Sequence, residues 1–213
     1  MDKRYAIIIV VMILVFVGLY RHMFYNPFYN KNVIVVGNSR ELLKAEKGEE
    51  IDSNYDMIIR LNHFKIEGYE KYTGTRTDGM HMNYVSTPPE RTQGLLKNND
   101  IKWMGTRDKI RFCGRTGVSI LDKRVFQYDK NSLPCRSPTS GTAVIADIVK
   151  YCNRPITIVG LGGYSEPGYY YDEKKHILNH NWNTAHTKHC PAVEQNFIDK
   201  LIKNGKVRRL MDD

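Results

Sequence analysis

Two short runs of β-branched residues, Val33-Ile34-Val35-Val36 and Ile156-Thr157-Ile158-Val159, constrain the fold of this chain more than any other feature. Neither shows the sustained apolar-polar alternation of a strand with one wet face, so each belongs to a sheet covered on both sides. A third run, Met57-Ile58-Ile59, ends at Arg60-Leu61-Asn62, and Lys102-Trp103-Met104 and Val125-Phe126 are further strand candidates. Helical segments fall between them. Arg40 to Lys47 follows a capping Ser39. Thr142 to Cys152 follows Thr139 and Ser140, either of which can cap it. A last helix starts near Pro191, has an apolar face of Val193, Phe197, Ile198, Leu201 and Ile202, and stops at Gly205. Val207 to Leu210 adds an edge strand, while residues 84–136 otherwise carry no clear pattern. Strands alternating with helices predict an α/β domain whose mostly parallel central sheet is flanked by helices. Ligands of such sheets gather at the carboxyl ends of the strands. Gly37-Asn38-Ser39, Asn62 and Gly160-Leu161-Gly162-Gly163 are thereby expected on one rim.

Ahead of the domain, Tyr5 to Tyr20 runs without a charge. At ~1.5 Å per residue a 16-residue helix covers roughly 24 Å, somewhat less than the ~30 Å hydrocarbon core of an average bilayer. Thinner membranes and flanking aromatic residues accommodate such a span. The bulky Tyr20-Arg21-His22-Met23-Phe24-Tyr25 that follows lacks the small residues of a cleavage site, which favours an uncleaved transmembrane helix. The expected organisation is a tail (1–4), a signal anchor (5–20), a short stem (21–32) and one domain (33–213). Lys3 and Arg4 before the span oppose Arg21 and Lys31 after it, so charge leaves its orientation undecided.

With 32 basic against 23 acidic residues the net charge is +9. That suits nucleic acid, an anionic surface or a small anionic substrate. No run of five Lys or Arg and no RNA-binding aromatic signature occurs, which argues against nucleic acid. Cys113, Cys135, Cys152 and Cys190 show no compact spacing, and no Asn-x-Ser/Thr site exists, so pairing and redox compartment stay open.

The candidate motifs each have an ordinary reading beside a functional one. Gly37-Asn38-Ser39 is a strand-to-helix turn, or a place where a ligand approaches exposed backbone N–H groups. Pro138-Thr139-Ser140-Gly141 sets two hydroxyls and free amides at a helix start, which suits an anion. Gly160-Leu161-Gly162-Gly163 invites a dinucleotide reading, but Glu166-Pro167-Gly168 opposes the helix that reading needs. His176, His180, His186, His189 and Cys190 do not match the spacing of a zinc site. His189, just before the Pro191 helix, is placed to act as a neutral base, with Glu194 as cap or orienting group. Tyr169-Tyr170-Tyr171-Asp172 is a core edge or a set of phenols for phosphate.

In their order these motifs resemble the animal-type sialyltransferases, glycosyltransferase family 29. VIVVGNSRELL through IIRLN to GYEKYTGTRTD is similar to the large sialylmotif, and SPTSGTAVIADIVKYCNRPITIVGLGG to the small one. Tyr169 to Asp172 looks like the third motif, and His189 to Glu194 like the final His-x4-Glu motif. The resemblance implies a Rossmann-like GT-A variant fold. It implies an inverting transfer from a CMP-sialic acid donor to a glycan acceptor, without metal or other cofactor. It also implies a type II anchor in the Golgi with the domain luminal. Carried over by motif, Asn38 and Asn62 contact the nucleotide and its phosphate, with Ser39, Gly162 and Tyr170 also on the donor side. Thr139, Ser140 and Gly141 hold the donor sugar, and Tyr169 bonds the departing phosphate. His189 is the base, with Glu194 counted beside it. Departures are visible. Val33 stands where the family has a cysteine bridged to the small motif, whose Cys152 persists, so that bridge is expected to be absent. The chain is also short, and acceptor specificity does not carry over. Two alternatives stay open: another CMP-activated acid such as Kdo, and a catalytically silent membrane protein that binds nucleotide or glycan, against which the retained His189 and Glu194 speak.

Overall fold

A computed structural model of the chain describes residues 5, 7–14, 16, 26–82, 94, 101–162, 168–171 and 189–212. Seven strands form one sheet: β1 (Val33–Val36), β2 (Met57–Leu61), β3 (Gly79–His81), β4 (Trp103–Thr106), β5 (Val125–Gln127), β6 (Ile156–Val159) and β7 (Val207–Arg209). Their order is β5-β4-β3-β2-β1-β6-β7, and every neighbouring pair is parallel. Among the described residues the sheet is accompanied by α1 (Gly48–Asn54), α2 (Glu70–Thr73), α3 (Lys109–Thr116), α4 (Ser140–Ile148) and α5 (Pro191–Lys203).

The central β1 is buried at all four positions, as its unbroken apolar run demands. Val33 and Val35 join one core with Ala143, Val144, Ile145 and Ile148 of α4 and Ile198 of α5. Ile34 and Val36 join another with Leu42, Ile51 and Tyr55 on the opposite face. A third cluster, with Met80, Met104 and Phe112, covers that face beyond β2. The strands from β1 to β5 extend the sheet in one direction. The chain then returns through α4 to place β6 on the other side of β1. The crossovers after β1 and β6 therefore run to opposite sides of the sheet, and the carboxyl ends of these two strands form the rim where such sheets bind ligands.

Local chemistry explains the boundaries. Thr139 caps α4, its side chain accepting from the Thr142 N–H. Pro191 opens α5, and Gly205 at φ 64° follows its end. The helix expected over Arg40–Lys47 is instead a 3-10 segment, Arg40–Lys44, followed by α1. Ala45 turns extended there, and Gly48 packs so closely on α2 that a Cβ would overlap the Glu70 carbonyl. The expected stem over 21–32 needs correction at its inner end. Phe28 is fully buried with its ring 5.6 Å from that of Trp103, and Asn26 donates to the Tyr151 carbonyl at 2.8 Å. Residues 26–32 are thus part of the folded domain. Residues 5, 7–14 and 16 are helical and exposed. Among the described residues no helix is long and apolar enough to cross a membrane.

Candidate active site

The rim is knitted first by backbone. Gly37 N–H donates to Val159 O at 2.8 Å and Ser39 N–H to Gly160 O at 2.9 Å, which joins the loops after β1 and β6. The contact needs glycine, because a Cβ on Gly37 would strike Gly160 O and Leu161 Cδ2. Asn38 donates through Nδ2 to Leu61 O at 2.9 Å, while its buried Oδ1 has no partner among the described residues. A buried acceptor left unpaired costs about 1–3 kcal/mol, so a ligand donor arriving here relieves a standing penalty. Ser39 lies against Gly162, where a Cβ would come within 2.6 Å of the Ser39 hydroxyl, and forms an isolated antiparallel bridge with Tyr169.

Asn62, after β2, takes the left-handed conformation at φ 51°, which asparagine tolerates better than most residues. Its Nδ2 donates to Ser140 Oγ at 3.1 Å and so links the β2 end to the start of α4. Gly141 follows, with a virtual Cβ 2.7 Å from Leu161 Cδ2.

The start of α5 is tied to the start of α4. Glu194 is only 4% exposed. Its Oε2 accepts from the Thr139 N–H at 2.9 Å and the Thr139 hydroxyl at 2.6 Å, and its Oε1 from the Cys190 N–H at 3.3 Å. Those contacts tie the Glu194 carboxylate to the starts of both α4 and α5. His189 Nδ1 lies 2.9 Å from Ser137 O. A carbonyl only accepts, so Nδ1 carries a proton, and in the neutral ring that leaves the lone pair on Nε2. Beside it Cys135 and Cys190 form a disulfide, while Cys113 and Cys152 are free and buried. Val33 and Cys152 share one apolar core, and burial pushes the Cys152 thiol up to about 12. Cys135, Cys190 and Glu194 crowd donor atoms within 4.8 Å of one another, but the bridge and the Thr139 bonds occupy them.

The expected donor-side residues Asn38, Ser39, Asn62, Thr139, Ser140, Gly141, Gly162 and Tyr169 thus form one linked set with His189 and Glu194. Tyr170 differs. It is 3% exposed, its hydroxyl accepts from the Lys65 N–H at 2.8 Å and donates to Lys65 O, and its N–H donates to Asn38 O. Tyr170 therefore positions the turn, while Tyr169, at 38% exposure, faces outward. Gly163, Asp172, His176, His180 and His186 lie outside the described residues.

Sequence reasoning missed the brace beneath this rim. Arg60 of β2 is fully buried, donating from Nε to Arg76 O and Thr77 Oγ1 at 3.0 Å and from Nη2 to Thr73 O and Arg76 O at 2.8 Å. Burial lowers its pKa to about 10, against the pull of Tyr170, Asp52 and Asp78. Asp52 accepts from the Thr75 N–H at 2.7 Å and the Arg76 N–H at 3.0 Å. Partial burial pushes that carboxyl upward, but the bonds from Thr75 and Arg76 outweigh it and hold the pKa below the usual value. Asp78 accepts from Ile58 N–H, Arg76 and Lys102. The available signal was a lone arginine inside an apolar strand.

Residues 25–105 match the family model described as glycosyltransferase family 29 (sialyltransferase). The type 2 lactosamine alpha-2,3-sialyltransferase of Homo sapiens is 26% identical over 227 residues, covering 86% of this chain and 65% of that protein. The lactosylceramide alpha-2,3-sialyltransferase of Rattus norvegicus is 24% identical over 229 residues, covering 84% and 56%. The chain spans just under two thirds of the first of these relatives and little more than half of the second. In fold it is similar to a mammalian sialyltransferase solved with Gal-beta-1-3GalNAc-ortho-nitrophenol, with a TM-score of 0.57, 16% identity, and 84% and 69% of the two chains covered. A monofunctional alpha-2,3-sialyltransferase from Campylobacter jejuni superimposes with a TM-score of 0.55, 17% identity, and coverage of 84% and 75%. Sequence over most of the chain and the parallel α/β sheet agree, and the chain resembles the glycosyltransferase family 29 sialyltransferases.

Proposed function

We propose that the chain is a sialyltransferase that moves sialic acid from CMP-sialic acid to a glycan hydroxyl with inversion and without metal. The observation that carries this reading is the His189 tautomer. With Nδ1–H held by Ser137 O, Nε2 is the atom that takes the acceptor's proton. The acceptor oxygen bonds to the anomeric carbon as the bond from that carbon to the CMP phosphate oxygen breaks. The electron pair leaves with CMP and the proton ends on Nε2. Phosphate is already a good leaving group, so hydrogen bonds on the donor side suffice in place of a strong general acid. Asn38 and Asn62 face the nucleotide end, Thr139, Ser140 and Gly141 hold the sugar, and Tyr169 meets the departing phosphate. Glu194 acts through Thr139 and Cys190. The finer fold is a GT-A variant. Tyr5–Tyr20 is the membrane anchor of a type II Golgi protein with its domain in the lumen, which the uncharged run supports.

The test incubates the full chain in detergent with CMP-sialic acid and a glycan acceptor in the presence of EDTA. Acceptor-dependent CMP release is expected, falling about 10²- to 10⁴-fold in His189→Ala. Unchanged release in that variant would end the mechanism, and loss of activity to EDTA would end its metal-free form. Preference for CMP-Kdo would move the donor.

A further inference from the structure

His189 is held by little of its own. Its one hydrogen-bond partner among the described residues, Ser137 O, sits in a stretch between the 3-10 turn Lys130–Ser132 and α4 that has no regular secondary structure. A single bond to such a carbonyl fixes an imidazole only as well as that stretch is itself fixed. Two residues before Ser137 is Cys135, and the residue after His189 is Cys190. The two are bridged, with Cα atoms 6.7 Å apart, inside the range that disulfides span. The bridge therefore ties the strand of chain that carries the imidazole to the strand that carries its acceptor. Glu194 makes a second tie, from Thr139 back to the Cys190 N–H.

We propose that the Cys135–Cys190 disulfide is a positioning element for His189, and that its reduction reversibly disables turnover. The proposal rests on His189 being the base. Both bridged residues are only partly buried, so a reductant reaches them, whereas Cys113 and Cys152 are buried. Burial also raises the thiol pKa of both, to about 12 at Cys152, which disfavours the thiolates that would reshuffle the bridge. With dithiothreitol, one thiolate of the reductant attacks a bridge sulfur to give a mixed disulfide. Its second thiolate then displaces the protein sulfur, leaving oxidised cyclic reductant and two protein thiols.

The experiment uses the full chain in detergent. Thiol titration after denaturation is expected to find two thiols in untreated protein and four after reduction. Reduction, and the Cys135→Ser/Cys190→Ser variant, should each lower kcat at least tenfold while KM for CMP-sialic acid changes less than about twofold. Reoxidation should restore the reduced wild type, and reductant should do nothing further to the double variant. Should that variant fail to fold, the reduced wild type, followed by circular dichroism, decides alone. Four free thiols at the outset, with or without a stoichiometric zinc, would overturn the proposal. So would an undiminished kcat in folded protein lacking the bridge. A His189→Ala protein as active as wild type would instead defeat the base assignment, and the thiol count would still report the bridge.

Discussion

Residues 52–78 and residues 135–194 both support the rim, and they use polar groups in opposite ways. In the first stretch charge is turned inward. Arg60 spends its donors on Thr73, Arg76 and Thr77, while Asp52 and Asp78 accept from backbone amides and Asp78 also from the cations Arg76 and Lys102. In the second, part-buried polar groups tie one segment to another. Ser137 holds His189, Thr139 holds Glu194, and Ser140 meets Asn62. The family match falls on residues 25–105, which is the bracing stretch and its strands. Likeness there reports a scaffold, while the chemistry must be argued from the later stretch.

The comparison breaks most visibly at Arg60. Arg60→Met keeps the stem but strands three buried acceptors and leaves Asp52 and Asp78 less compensated. Removing one member of a buried charged network costs about 3–5 kcal/mol. The urea midpoint should drop accordingly, while turnover per folded molecule stays within about twofold. A fall in turnover with unchanged stability would show that the bracing stretch shares in the chemistry.

Glu194→Ala should show the opposite balance. Losing an acceptor for three donors costs about 2–3 kcal/mol, and it also releases the start of α5 from α4. We expect kcat to fall about a hundredfold. Glu194→Gln, which keeps an acceptor oxygen, should recover much of the stability and part of the rate. Equal rates for the Ala variant and wild type would make Glu194 a purely structural residue.

What was legible in the sequence follows the same division. Strands β1, β2 and β6 were read correctly because burial on both faces leaves unbroken apolar runs, and α5 because proline and glycine mark its ends. Strand β3 was missed because Gly79-Met80-His81 is short and has no β-branched residue. Helix α3 was missed although Asp108 caps it and Gly117 ends it, since the segment is short and mostly polar and buries only Phe112, Cys113 and Thr116. The site residues were recoverable only as a set, because a turn glycine or a capping threonine has the same local pattern with or without a ligand. Arg60 was missed for the converse reason. A charge in a strand says that something must satisfy it, but carbonyls from 13 and 16 residues away cannot be seen in spacing.

Helix α4 offers a smaller test that uses pH. Burial raises Asp147 to about 6, partly offset by the Asp129 N–H and by Lys150. Its folded pKa lies above the unfolded value of 3.8, so the folded state holds the proton more tightly. Its contribution is therefore most favourable below pH ~4 and is lost as pH rises to about 6. Asp147→Asn, which keeps an acceptor for the Asp129 N–H, should stabilise the protein by up to about 3 kcal/mol at pH 8 and by little near pH 4. A gain that is the same at both pH values would mean that packing, not ionisation, sets it.

The finest distinction is at Gly162. Its φ is not in the left-handed region, so alanine is permitted by the backbone, and only the space beside Ser39 is in question. An added Cβ would come 2.6 Å from the Ser39 hydroxyl, the end of a short side chain that can rotate away. Rotation would remove the bond that the Ser39 hydroxyl accepts from the Glu41 N–H and move that hydroxyl from the rim. Stability should change by less than about 1 kcal/mol, since one exposed capping bond is at stake. If Ser39 belongs to the donor side, KM for CMP-sialic acid should rise about tenfold with kcat nearly unchanged, the mark of binding lost equally in ground and transition states. Ser39→Ala should reproduce that rise without the crowding. A lower kcat at constant KM in both variants would place Ser39 with His189 instead, and would move the boundary between holding the donor and reacting it to the β1 side of the rim.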